Sequence, residues 1–165
     1  MKKLFLVAVA TVGFAFTGTA QETKFGVKAG VDFASAKQEY DFTSIGGGKG
    51  TISSNETGFY VGGFATIGIS ESFAVQPEVL YVSIKDLNFL SVPVLARYSF
   101  AENFHGLAGP SFNYLLDAEE DEFKVNLDFG ASYDITENLD INAKYSLGFG
   151  DITLNGVFIG AGYSF

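Results

Sequence analysis

Residues 123–135 read Phe-Lys-Val-Asn-Leu-Asp-Phe-Gly-Ala-Ser-Tyr-Asp-Ile, and two faces separate at every step. Phe123, Val125, Leu127, Phe129, Ala131, Tyr133 and Ile135 fall on one side, Lys124, Asn126, Asp128, Gly130, Ser132 and Asp134 on the other. A period of two over this length predicts a β-strand. It exceeds the ~5–6 residues of a mean globular strand and meets the ~9–11 that a strand needs to cross a bilayer.

The pattern repeats on either side. Leu139, Ile141, Ala143, Tyr145, Leu147 and Phe149 oppose Asp140, Asn142, Lys144, Ser146 and Gly148. Phe25, Val27, Ala29, Val31 and Phe33 alternate with Lys24, Gly26, Lys28, Gly30 and Asp32, and the chain ends on Val157, Ile159, Ala161, Tyr163 and Phe165. Strands are predicted at 24–35, 57–69, 73–84, 87–100, 104–116, 123–135, 139–150 and 156–165. Ser70-Glu71-Ser72, Ala101-Glu102-Asn103 and Thr136-Glu137-Asn138 are three-residue polar turns between apolar residues, a common hairpin length. They alternate with mostly longer connections, of which 36–56 is the longest. Short turns at one end and long loops at the other are the layout of outer-membrane barrels. The expected fold is all-β: an eight-stranded antiparallel up-and-down transmembrane β-barrel, with N- and C-termini periplasmic.

A soluble barrel would bury the apolar face, whereas a membrane barrel turns it to lipid. Aromatic residues favour the second orientation. Phe25, Phe73, Tyr98, Phe100, Phe104, Tyr133, Tyr163 and Phe165 would ring the short-turn level, and Phe33, Phe59, Tyr81, Tyr114, Phe123 and Phe149 the long-loop level. Two such girdles are expected at headgroup depth. The polar face balances its own charge: Lys24, Lys28, Arg97, Lys124 and Lys144 against Asp32, Glu78, Asp128, Asp134 and Asp140. Buried charges need partners, so these ten are the expected interior network of a filled, polar lumen. Tyr60, Phe64 and Phe158 are expected inside, beside Gly26 and Gly30. Asp134 opposite Asp140 is an unfavourable like-charge pair that Lys24 or water could relieve.

Met1-Lys2-Lys3, an apolar run from Leu4 to Phe16 and the small residues Thr17 to Ala20 form a secretory leader pattern. The expected organisation is a cleaved signal peptide at 1–20 and a barrel domain at 21–165. Zero Cys removes disulfides, thiolate metal sites and cysteine nucleophiles, and one His leaves little for a multi-histidine site. A net charge of -9 argues against nucleic acid as partner.

Val75-Gln76-Pro77-Glu78-Val79-Leu80-Tyr81, Ser91-Val92-Pro93-Val94-Leu95-Ala96-Arg97-Tyr98 and Gly106-Leu107-Ala108-Gly109-Pro110 resemble successive strands of the PorT-type outer-membrane β-barrel family, small eight-stranded barrels of the OmpA/OmpX kind. Phe25 to Val31 also fits. The resemblance implies an eight-stranded barrel and little about activity. Ser91 stands where that family carries an acidic residue, so a different interior network is expected. Gly162-Tyr163-Ser164-Phe165 looks like the terminal aromatic signal read by the barrel-assembly machinery, with Tyr163 and Phe165 its aromatic pair.

Chemistry is sparse. His105 is the single histidine; it falls near the short-turn end, with no evident serine and carboxylate beside it. The run Asp117 to Glu122 could attract divalent cations but lacks an ordered ligand spacing, and reads as a solvated acidic rim. Ile45 to Gly50 lacks the spacing of a phosphate-binding loop and reads as the tip of the longest loop. No cofactor, metal site or catalysis is expected. The expected role is structural or docking, in the bacterial outer membrane, with lipid around the wall and an envelope protein partner on loop 36–56 or the periplasmic rim. A narrow solute channel, a lipid-modifying enzyme and a soluble ligand-binding barrel are the alternatives.

Overall fold

A computed structural model describes residues 23–41, 49–85, 87–116, 123–149 and 152–165. Eight strands follow in chain order: β1 Thr23–Asp41, β2 Lys49–Gly68, β3 Phe73–Ile84, β4 Leu87–Ser99, β5 Phe104–Leu115, β6 Phe123–Asp134, β7 Leu139–Gly148 and β8 Ile152–Ser164. Each pairs antiparallel with the next, and β1 pairs with β8 to close the barrel. Closure leaves no sheet edge around the wall, as lipid requires. The expected leader at 1–20, residues 45–48 of the expected loop tip and the acidic run 117–122 lie outside the described residues.

The three short turns share one geometry. The amide of Ile69, Phe100 or Ile135 donates to the carbonyl of Phe73, Phe104 or Leu139 across each turn, at 2.9, 3.0 and 2.8 Å. Each turn keeps parity, so apolar residues stay outside on both strands. Phe25, Val31, Phe59, Val79, Phe129, Ile141 and Ile159 are all exposed on the outer wall. The girdle aromatics named from the sequence are exposed as well, apart from Tyr114, which is half-buried.

Two expectations need correction. The connection 36–56 is not a long loop. β1 and β2 run on as a ladder from Ala36↔Ser54 to Asp41↔Lys49, so β1 has 19 residues and β2 has 20, against 10 to 13 elsewhere. β8 follows β1 upward as far as Gln38↔Ile152. β3 pairs with β2 only up to Phe59↔Ser83. The hairpin therefore stands beyond β3, three strands wide at its base. The polar, glycine-rich composition of 36–56 hid this, because ladder hydrogen bonds do not require apolar side chains.

The lumen is also not uniformly polar. Its long-loop end is filled by Ala34, Tyr60, Leu80, Val82, Ile84, Phe89 and Phe158, with Leu87 and Leu115 packed against them. Val79 to Val82 is a continuous apolar run. Where both faces of a strand are apolar, periodicity carries no orientation. Burying such side chains stabilises by ~1.5–3 kcal/mol each, and an eight-stranded barrel is just wide enough to be filled this way.

The expected small-beside-large fit holds. A side chain at Gly26 would meet the Phe64 ring, and one at Gly30 would meet the Tyr60 ring and the backbone of Ile159 and Gly160. Tyr60 and Phe158 pack edge to face, centroids 5.5 Å apart.

Candidate functional site

Below the apolar plug lies a buried charge cluster. Glu78 on β3, with no exposed side-chain surface, accepts from two lysines: Lys28 Nζ of β1 at Oε1 and Lys144 Nζ of β7 at Oε2, the latter at 3.0 Å. Lys144 also contacts Asp128 Oδ2 at 3.2 Å. Gln76 Nε2 donates to Glu78 Oε1 at 2.8 Å. The ammoniums rest on aromatic faces, Lys28 over Phe64 and Lys144 over Phe158, at 5.1 and 5.4 Å from the ring centroids. Lysines from two strands far apart along the chain thus converge on one carboxylate of a third. Each ion alone would be costly to bury; bound together, with further hydrogen bonds, they become tolerable.

A second group lies towards the short-turn mouth. Arg97 Nη2 binds both Asp134 oxygens, at 2.9 and 3.2 Å, and Nη1 donates to Gln76 Oε1 at 3.2 Å. His105 places Nε2 2.8 Å from Asp134 Oδ2 and Nδ1 2.8 Å from Ser99 Oγ. A serine and a carboxylate, neither evident beside His105 along the chain, are both there. Ser99↔His105 and His105↔Ser132 are cross-strand neighbours, whereas Asp134 arrives from further along β6. These bonds connect the mouth to the core without a break, from Ser99 through His105, Asp134, Arg97 and Gln76 to Glu78. Asp134→Asn is expected to loosen Arg97 and His105 together and to cost about 1–3 kcal/mol, the range for unpairing a charge-assisted hydrogen bond. Urea unfolding of the folded barrel would measure it.

The ten residues expected inside divide by place. Lys28, Asp32, Glu78, Asp128, Asp140 and Lys144 are buried. Arg97 and Asp134 are partly buried. Lys24 is exposed at the mouth, and Lys124 is half-buried towards the other end, so neither belongs to the buried cluster. Asp134 does lie opposite Asp140. Arg97 and His105 relieve the first, and Asn142 Nδ2 donates to Asp140 Oδ1 at 2.9 Å. Ser91, in the position of the resembled family's acid, shares a 3.0 Å bond with Ser111.

An open vestibule of about 440 Å³ occupies the mouth, lined by Lys24, Arg97, Ser99, Asp134, Asp140 and the turn residues Glu71, Glu102 and Glu137. Among the described residues, no group of three or more His, Asp or Glu assembles as a metal site.

Residues 86–154 match a family described as outer membrane protein beta-barrel domain. Solved structures of similar fold include a de novo designed transmembrane β-barrel, 21% identical, covering 88% of this chain and 99% of that one, TM-score 0.56. The attachment invasion locus protein Ail of Yersinia pestis, solved with the heparin analogue sucrose octasulfate, is 15% identical over 88% of this chain and 100% of its own, TM-score 0.56. Neisserial surface protein A is 16% identical over the same shares, TM-score 0.56. No curated protein matches the sequence. The domain match, the closed wall and the outward apolar belt agree on one location, the cell outer membrane.

Proposed function

We propose that this barrel is a docking scaffold of the cell envelope, without catalysis, whose contact element is the projecting β1–β2 hairpin. The observation that carries this reading is the hairpin's length. The ladder continues to Asp41↔Lys49, while β3 stops pairing with β2 at Phe59↔Ser83. Above that level the outer edge of β2 carries backbone donors and acceptors that a partner's extended segment could pair by strand addition. Glu56 and Lys85, joined at 3.2 Å, mark the foot of this edge. With the termini periplasmic, the hairpin stands on the outer side of the membrane.

The filled interior favours a scaffold over a narrow solute channel, since the apolar plug and the Glu78 cluster occupy the lumen in series. The net charge of -9 disfavours a polyanion like the heparin analogue seen with Ail. Tyr163 and Phe165 serve assembly in this reading: both are exposed, their rings lie 5.9 Å apart, and the Phe165 amide is held by the Phe25 carbonyl at 2.8 Å. The PorT-type likeness of β3 to β5 bears on the barrel architecture and not on the docking role.

Shortening the hairpin by deleting 36–41 and 49–54, joining 35 to the tip and the tip to 55, tests the proposal. The barrel should keep its heat-dependent mobility on SDS gels. A photocrosslinker at Thr57 should lose the envelope protein that it captures in the full chain. Unchanged capture would remove the hairpin as contact element, and ion conductance by the full chain in planar bilayers would favour the channel.

A further inference from the structure

The buried cluster does not close its own charge balance. Lys28 and Lys144 supply two positive charges; Glu78, Asp128 and Asp32 supply three negative ones. Glu78 takes both lysines and Asp128 shares Lys144. Asp32, 1% exposed on β1, forms no ion pair among the described residues, and no protein donor reaches its Oδ1. Arg97 is held by Asp134 at the mouth. An isolated carboxylate in a dry interior is among the most costly groups a protein can bury.

Asp32 borders a small void of about 10 Å³ beside the apolar plug. Its polar walls are Asn113, Asn126, Ser146 and Asn155, and the rings of Phe89 and Phe158 border it. We propose that this void binds one monovalent cation of sodium size, held by the Asp32 carboxylate and the side-chain oxygens of these four residues.

Three features select the ion. All five polar lining side chains offer hard oxygen donors, which suit alkali and alkaline-earth cations rather than transition metals. A single carboxylate among neutral oxygens matches a single positive charge, whereas divalent sites gather more acids. The volume is about that of one water, ~10–15 Å³, which admits a single small ion and excludes a hydrated or polyatomic one. The neighbouring bonds orient the walls. Asn126 Nδ2 donates to Ser146 Oγ at 2.9 Å, and Asn155 Oδ1 accepts from the Gly148 amide at 2.9 Å. Carbonyl and hydroxyl oxygens have two lone pairs, so each of these acceptors keeps one for the ion.

The test refolds the full barrel domain in dodecyl maltoside with sodium, potassium or choline chloride at equal ionic strength. Unfolding at fixed high temperature is followed by circular dichroism. Sodium should slow unfolding at least tenfold relative to choline, with potassium between them, and Asp32→Asn should erase the difference. Should Asp32→Asn not fold, Asn155→Ala should raise the sodium concentration needed for half the effect. Equal rates in the three salts would overturn the site. So would a sodium effect that persists undiminished in Asp32→Asn. Rates that follow pH but not the cation would assign the void to water beside a protonated Asp32, and overturn it equally.

Discussion

Glu78→Ala should be among the most destabilising single substitutions in this barrel, costing about 3–5 kcal/mol, the range for removing one partner of a buried ion pair. Lys28 and Lys144 both end on this carboxylate, and all three side chains are almost fully buried. Removing it leaves two ammoniums facing each other, with only Asp128 directly bonded to one of them. Truncation also opens a cavity, which adds its own cost. Urea unfolding in detergent measures the loss. The double variant Glu78→Gln with Lys28→Met should recover part of it, because a lysine without a partner is removed along with the acid. A loss below about 1 kcal/mol, the typical worth of one neutral hydrogen bond, would show that the lysines find other partners and that the cluster does not hold the barrel shut.

Gly30→Val should prevent closure altogether. A Cβ at Gly30 would lie 2.6 Å from Gly160 Cα and 2.7 Å from the Tyr60 ring, and closer still to the Ile159 carbonyl. Two of these are backbone atoms of β8, which cannot swing aside as a flexible side chain would. β1 is the strand that joins both edges, pairing with β2 and β8 at once, so a spacer here pushes apart the seam on which the whole ring depends. The expected readout is loss of the compact, heat-shifted band on cold SDS gels. Ala29→Val, one residue away and facing lipid, is the control and should fold. A compact band from Gly30→Val would mean that the Tyr60 ring and the β8 backbone can yield.

The wall is legible along the chain. Alternation in β6 and β7, three matching turns, an even strand count and aromatic girdles are local features, each settled by residues within about one hairpin. Side chains at i and i+2 share a face whatever the rest of the chain does. The face that must meet lipid is therefore written along strands that alternate cleanly, such as β6 and β7, and the structure agrees there. The pairing of Gly26 and Gly30 with bulky neighbours was legible for the same reason, once closure of β1 on β8 was assumed.

Closure of the barrel sets which inward groups meet. Glu78 lies 50 residues from Lys28 and 66 from Lys144, and the tilt and stagger of the closed wall bring them level. The sequence supplied equal numbers of opposite charges but could not say that Lys24 and Lys124 stay out of the buried cluster, or that no donor among the described residues reaches Asp32 Oδ1. His105, Ser99 and Asp134 join for the same reason. The apolar plug at Leu80, Val82 and Ile84 was hidden because a strand apolar on both faces has no readable orientation. The projecting hairpin was hidden because its ladder is held by backbone bonds that any polar sequence can make. Local alternation reports which side of the wall a residue occupies; only closure, by setting register between strands far apart in the chain, sets what it touches there.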